Sequence, residues 1–234
     1  MLIKSAAVFI LSLALILTST NAFSQSAEAL LQRVRAKLGT VTDYQAKGVL
    51  TTNVSFMKVP ASDVTILFKN PNKFKIKKQE GISVVPKGGI SINLNSLVTS
   101  GDYSVVPSGT SVVGGKKLSI IKLLPLEENS EVVVTTLYIS DNDALIRKAN
   151  TTTRDNGTYS MEMEYGKYGQ YGLPDKLTFV FNTKDFKLPK GVTFEYDPGV
   201  KPEDSSKKSQ DGKGSVVIVY SSYIINKGIS DSLF

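Results

Sequence analysis

Glu162 and Glu164 stand two residues apart, a spacing that puts both carboxylates on one face of a strand and could furnish an acid–base pair. Met161, Met163 and Tyr165 alternate with them, so the pair reads as the wet face of a half-buried strand. Asp141-Asn142-Asp143 opens like a calcium loop, but Leu145 occupies the fifth position and no glycine occupies the sixth. A turn fits those three residues better. Tyr165, Tyr168 and Tyr171 are interleaved with glycines and could stack on a sugar or lie at a lipid interface; the plainer expectation is a hairpin whose tyrosines cap a sheet edge. Lys73, Lys75, Lys77 and Lys78 make the one concentrated basic strip, suited to anionic headgroups, an acidic partner or plain solvation. Serine is plentiful, yet no G-x-S-x-G motif is present and only lysine or carboxylate could act as its base.

The larger constraint is what the 234 residues lack: there is no histidine and no cysteine. Imidazole is the commonest general acid–base and metal ligand, and thiolate is a leading nucleophile and zinc ligand. Their absence argues against most catalysis and metal binding. The expectation is therefore a binding container that catalyses no reaction and needs no cofactor, with a hydrolase using Lys and Ser or paired carboxylates as a remote rival.

The first 24 residues read as a signal peptide. Lys4 gives a positive start, Ala6 to Leu17 is almost unbroken apolar sequence, and Ala22-Phe23-Ser24 offers small residues where a signal peptidase reads. Cleavage after Ser24, leaving Gln25 first, is preferred over cleavage after Ala22. The apolar run is shorter than the roughly 20 residues needed to span a bilayer. With no cysteine behind it, the mature chain has no site there for a lipid anchor, so a periplasmic product is expected. Residues 25–234 are enough to bury one core without disulfides, and a single domain that stays a monomer is the expectation. The formal charge of +7 falls to +6 when Lys4 is removed. Nucleic acid is excluded as a partner by compartment and by the lack of an arginine-rich block, while an anionic membrane surface or lipid headgroup matches the charge.

The elements that must position these side chains are mostly strands. Ser26 can cap a helix whose apolar face is Ala27, Leu30, Leu31, Val34 and Leu38, with Gly39 ending it. Tyr44 to Phe56 alternates as one long strand, and Val64, Ile66 and Phe68 continue the pattern to an Asn70-Pro71-Asn72 turn. Phe74 and Ile76 then alternate with lysines. Between Gly81 and Gly115 the pattern breaks at Pro86, Gly88-Gly89, Gly101, Pro107 and Gly109, which suggests short segments and loops, a candidate lid. Strands return at Lys117 to Leu124, Glu131 to Ser140, Leu145 to Thr153, Met161 to Tyr165 and Leu177 to Phe181. Asp155-Asn156-Gly157 is a hairpin signal. Lys184 to Gly214 is polar, with Lys201 to Gly214 read as a mobile loop, before a last strand from Val216 to Ile225. The sum is an α+β, mainly β architecture: about ten to eleven antiparallel strands, strongly curved, packed on one helix.

Several pieces in this order resemble a known family. They are the post-signal helix with Asp43-Tyr44-Gln45-Ala46-Lys47-Gly48, the element Leu67 to Ile76, and Val113-Gly114-Gly115-Lys116. Leu137-Tyr138-Ile139-Ser140, then Tyr165-Gly166-Lys167-Tyr168 with Leu173-Pro174, complete the set. Over about Ser26 to Asn182 and Tyr220 to Phe234 the chain is similar to the LolA/LolB-like outer-membrane lipoprotein carriers. The resemblance implies an unclosed antiparallel barrel with helices and lid segments over an apolar concave face. It also implies a soluble carrier that shuttles lipoprotein or lipid acyl chains to the outer membrane, loaded by an inner-membrane release complex and relieved by an outer-membrane acceptor. Where the family often carries a lid-latching arginine before the proline, this chain has Asn70. A sensor on the same fold is the alternative.

A carrier needs large, adaptable apolar side chains, since each buried methylene of an acyl chain contributes about 0.8 kcal/mol. The candidates are Leu50, Val54, Phe56, Ile66, Phe68, Phe74, Ile76, Leu137, Ile139, Met161, Met163, Phe179 and Phe181, each of which could equally be ordinary core. Lys73, Lys75 and Lys77 are candidates for headgroup or partner contact.

Overall fold

The structure is a computed structural model that describes residues 26–54, 57–71, 73–78, 97–98, 101–155, 157–182 and 212–234, with backbone alone at 57–59 and 78. The expected signal peptide, Phe56 and most of the 201–214 loop lie outside the described residues.

Helix α1 (26–39) forms where the three- and four-residue spacing places it, and Ala27, Leu30, Leu31, Val34 and Leu38 are all buried. Gly39 stays helical rather than ending the helix in a left-handed turn. Thr40 closes it instead: its amide and hydroxyl both reach the Lys37 carbonyl, at 3.3 and 2.7 Å. Ten strands follow: β1 (Asp43–Val54), β2 (Met57–Lys69), β3 (Lys73–Lys78), β4 (Tyr103–Val113), β5 (Lys116–Pro125), β6 (Val132–Ser140), β7 (Leu145–Thr153), β8 (Gly157–Glu164), β9 (Lys176–Asn182) and β10 (Lys213–Ile225).

All ten belong to one antiparallel sheet in the order β3-β2-β1-β10-β9-β8-β7-β6-β5-β4. Every sequential pair but one lies side by side. The exception is β3 and β4, which form the two opposite edges, so the barrel is unclosed. The pairing of β1 with β10 brings the two ends of the fold together. It carries a bulge at Lys47/Gly48, where an added Cβ would sit 2.5 Å from the Val219 carbonyl oxygen. Only glycine permits that approach, and bulges of this kind sharpen the curl of a sheet.

Two expectations need correction. Tyr103–Val113 is a full edge strand rather than loop or lid. An edge strand tolerates proline because one row of its N–H groups has no partner to serve. The register slips between Pro107 and Thr110, with Gly109 at φ +86°, so one bulge absorbs both breakers. Second, the loop expected to last until Gly214 ends earlier, since Lys213 and Gly214 already pair with Asn182 and Phe181.

One end of the trough is closed by aromatic packing. Tyr44 stacks on Phe68 at 5.2 Å, and Tyr223 lies 5.4 Å from Tyr44, 4.8 Å from Tyr168 and 5.1 Å from Tyr220. Tyr223 donates to the Pro174 carbonyl at 2.7 Å and Tyr165 to that of Ile146 at 2.9 Å, which satisfies both phenols without water. The tyrosine series therefore caps the barrel end; it does not cap an edge, because β8 and β9 are mid-sheet. Burial pushes the phenols of Tyr44, Tyr165, Tyr220 and Tyr223 well above the ordinary tyrosine value. A raised folded-state pKa stabilises the fold below the unfolded value and is lost as pH climbs past it. The unfolded tyrosines release protons near pH 10, so the melting temperature should fall steadily above that pH. Absorbance at 295 nm should show the buried tyrosines ionising only as the protein unfolds.

Candidate functional site

The strand registers line up one continuous apolar floor across the sheet. Ile121 faces Leu137, Leu137 faces Ala149, Ala149 faces Met161, Met161 faces Phe179 and Phe179 faces Val216. A second row runs from Met163 through Leu177 and Ile218 to Leu50. On β1, β2 and β3, Ala46, Ile66 and Ile76 form one row and Tyr44, Phe68 and Phe74 another. Each position is read off the period of two, and the pairing then fixes which strands share a row.

Of the sequence candidates, Leu50, Val54, Ile66, Phe68, Leu137, Ile139, Met161, Met163, Phe179 and Phe181 are buried in one core cluster, with Phe74 and Ile76 half-buried against it. Phe56 is outside the described residues. The same cluster contains the apolar face of α1 and the pair Leu97–Val98. The floor is thus covered: Ile66, Leu137, Ile139, Met161 and Phe179 are 0 % exposed. These residues are the core of the fold.

Arg35 fastens the cover. Its Nε donates to the Val98 carbonyl oxygen at 2.7 Å, tying α1 to the segment that joins the two edge strands. The sequence had singled out Asn70 as the departure from a latching arginine; the structure puts an arginine bond of this type on the helix. Spacing could not reveal it, because Arg35 lies on the polar side of the helical period.

Sequence reading also missed a band of hydroxyls on the floor. The Thr135 and Thr151 hydroxyls lie 3.1 Å apart and fully buried, and Thr151 bonds the Tyr159 phenol beside it. Thr52 is 3 % exposed on the same face. The period of two turns these threonines inward, but it does not say that Thr135 and Thr151 lie opposite each other. Thr135 also borders a cavity of about 580 Å³ at the end of the trough, with Leu97, Tyr103, Leu126 and Val132 as its apolar wall.

The polar candidates lie outside. Glu162 pairs with Lys148 at 2.7 Å and Glu164 with Lys176 at 2.8 Å, cross-strand ion pairs on the wet face. Lys73 and Lys75 are engaged by the segment after β10: Lys73 Nζ is 3.0 Å from Asp231, and Lys75 donates to the carbonyls of Leu233 and Phe234. Among the described residues, no group of three or more acidic side chains is arranged to hold a metal ion. No helix among them is long and apolar enough to cross a membrane.

Neither a protein-family model nor a curated protein sequence matches the chain. Solved structures do. A LolA superfamily protein from Nitrosomonas europaea matches at a TM-score of 0.55 and 12% identity, over 89% of this chain and 96% of that one. The chain has the LolA-type fold. A putative outer membrane lipoprotein-sorting protein domain from Vibrio parahaemolyticus matches at 0.51 and 9% identity, over 88% and 96%. A DUF1329 family protein from Desulfovibrio piger matches at 0.52 and 12% identity, over 89% and 96%. At such identities the LolA-type fold is shared while side chains have diverged, so what the trough does must be argued from its own residues.

A hydrogen bond from a charged donor contributes about 1.5 kcal/mol or more, roughly a tenfold change in an opening equilibrium. Arg35→Met should therefore speed amide exchange at Leu97 and Val98 about tenfold while leaving the sheet amides unchanged. Hydrogen–deuterium exchange with mass spectrometry reads both.

Proposed function

We propose that this protein is a periplasmic carrier that takes acyl chains of lipoproteins or lipids onto the floor of its trough, beneath α1, and releases them toward the outer membrane. The observation that carries this is the floor itself: two strand-crossing rows of mostly Leu, Ile, Met and Phe, covered among the described residues by α1 and Leu97–Val98 rather than by a second sheet. The reading joins that surface to the lipoprotein-sorting name of a structure with the same fold.

Magnitudes make the exchange feasible. The four large side chains of α1 that cover the floor, Leu30, Leu31, Val34 and Leu38, contribute roughly 1.5–3 kcal/mol each by burial, or about 6–12 kcal/mol together. An acyl chain of about 15 methylenes contributes about 12 kcal/mol when buried. A cargo chain can thus replace the helix on the floor at nearly even free energy, which is what reversible loading requires. Met161 and Met163, unbranched and soft, suit a floor that must accept either partner. No step of this cycle needs catalysis or a cofactor. The signal peptide at 1–24, one domain from 25 to 234 and a monomeric state complete the proposal.

The test is to secrete the mature chain in a bacterium with two membranes, purify it and identify co-purifying lipids and lipoproteins by mass spectrometry. Bound acylated species, displaced stoichiometrically by a fluorescent acyl-chain probe, are the expected result. A preparation free of lipid that also ignores the probe would sink the carrier reading. Arg35→Met should load the probe faster than wild type, by about the same tenfold as its opening equilibrium changes.

A further inference from the structure

The segment after β10 crosses the outer face of β2 and β3 as a strap. Lys69 Nζ lies 2.9 Å from the Ile229 carbonyl oxygen and 2.7 Å from Asp231 Oδ1, and Lys73 Nζ lies 3.0 Å from Asp231 Oδ2. Lys75 Nζ donates to the Leu233 and Phe234 carbonyls at 3.0 and 2.9 Å. One carboxylate thus answers two ammonium groups. These lysines hold the Asp231 carboxyl below the usual carboxylate range, so it is ionised throughout neutral pH.

The register shows what the strap covers. Lys69 pairs with Lys73, Leu67 with Lys75 and Thr65 with Lys77, and all face away from the inner row of Ile66, Phe68, Phe74 and Ile76. Leu67 is therefore on the outer face, yet only 2 % exposed and outside the inner core cluster. Ile229 in the strap is buried and likewise outside that cluster. The strap's contacts run from Lys69, two residues along from Leu67, to Lys75, which stands opposite it. Lifting it would bare an apolar side chain ringed by Lys69, Lys73, Lys75 and Lys77.

We propose that this outer face of β2–β3 is a docking surface for an anionic lipid bilayer, and that the strap covers it until phosphate headgroups displace Asp231 from its two lysines. Charge and apolarity together select that occupant. Clustered lysines concentrate at anionic membranes, and a leucine among them can enter the headgroup boundary. The lock is weak enough to yield. The Lys69, Lys73 and Asp231 side chains are 35%, 41% and 62% exposed, and ion pairs that exposed contribute little. A bilayer offers many phosphates where the strap offers one carboxylate.

The test is cosedimentation with vesicles of phosphatidylcholine containing about 30 mol % phosphatidylglycerol, at about 0.1 M salt. Asp231→Asn should bind at least about threefold more tightly than wild type. Asp155→Asn, which makes the same charge change at the exposed β7–β8 turn, should gain less. Lys73→Gln with Lys75→Gln should lose most binding, while Lys116→Gln with Lys117→Gln, at the β4–β5 turn, keeps it. Equal gains in the two aspartate variants, or equal losses in the two lysine pairs, would reduce the effect to net charge and overturn the proposal. So would binding that persists on pure phosphatidylcholine, or an Asp231→Asn variant that gains affinity for an acidic protein but none for vesicles. Circular dichroism confirms that each variant is folded. Vesicle binding is read without cargo, so its failure leaves the carrier reading standing; loss of acyl-probe uptake alone would do the reverse.

Discussion

Burial of one sheet face is the constraint from which the rest of the molecule follows. Ten strands present their even or odd positions to the same side, and that side is almost wholly apolar. A closed barrel would cover it with its own far wall. Here the edges β3 and β4 do not meet, so the cover has to come from elsewhere, and α1 with Leu97–Val98 supplies it. A roof made from a single amphipathic helix contributes several kcal/mol by burial, far less than a second sheet would.

Polar chemistry is arranged around that constraint without intruding on it. Charges on β7, β8 and β9 answer one another across strands on the outer face. Of the hydroxyls that face inward, Thr135 bonds Thr151 and Thr153 donates to the Gly157 carbonyl, while the buried Thr52 hydroxyl has no partner among the described residues. Where the chain doubles back after β10, the buried Asp43 carboxylate accepts the amides of Lys227 and Gly228, and Asn226 bonds Thr40 and Thr42. These bonds fix the root of the strap firmly at the α1–β1 junction, while its far end is held by the half-buried Lys69, Lys73 and Lys75. A segment anchored at one end and loosely held at the other can move without disturbing the sheet.

The sequence read most clearly where a single period dominated. The apolar face of α1, the antiparallel strands and the described inward residues from Leu50 to Phe181 all follow from repeats of 3.6 or 2. Reading failed where a breaker sat in a permissive place. Pro107 and Gly109 pointed to a loop, but β4 is an edge strand, and an edge can hold a proline and a bulge that a central strand could not. Nothing local at Lys73 and Lys75 signals that a segment some 160 residues later folds over them. The tyrosines at 165, 168 and 171 read as edge residues because a sequence does not say whether its hairpin is central or terminal in the sheet.

By itself, then, the sequence determined the class of fold and which side of each strand faces inward. Side-chain type and alternation are local properties, and they survive in any topology that the pattern permits. Tertiary structure decided the long-range facts: that β1 and β10 pair while β3 and β4 stay apart, that α1 roofs the floor, that Arg35 reaches Val98, and that Asp231 sits between Lys69 and Lys73. Each of these joins residues far apart along the chain, where the free energy depends on strand order and register. Neither is encoded in any one stretch of residues, because both are settled only when all the apolar faces find cover at once.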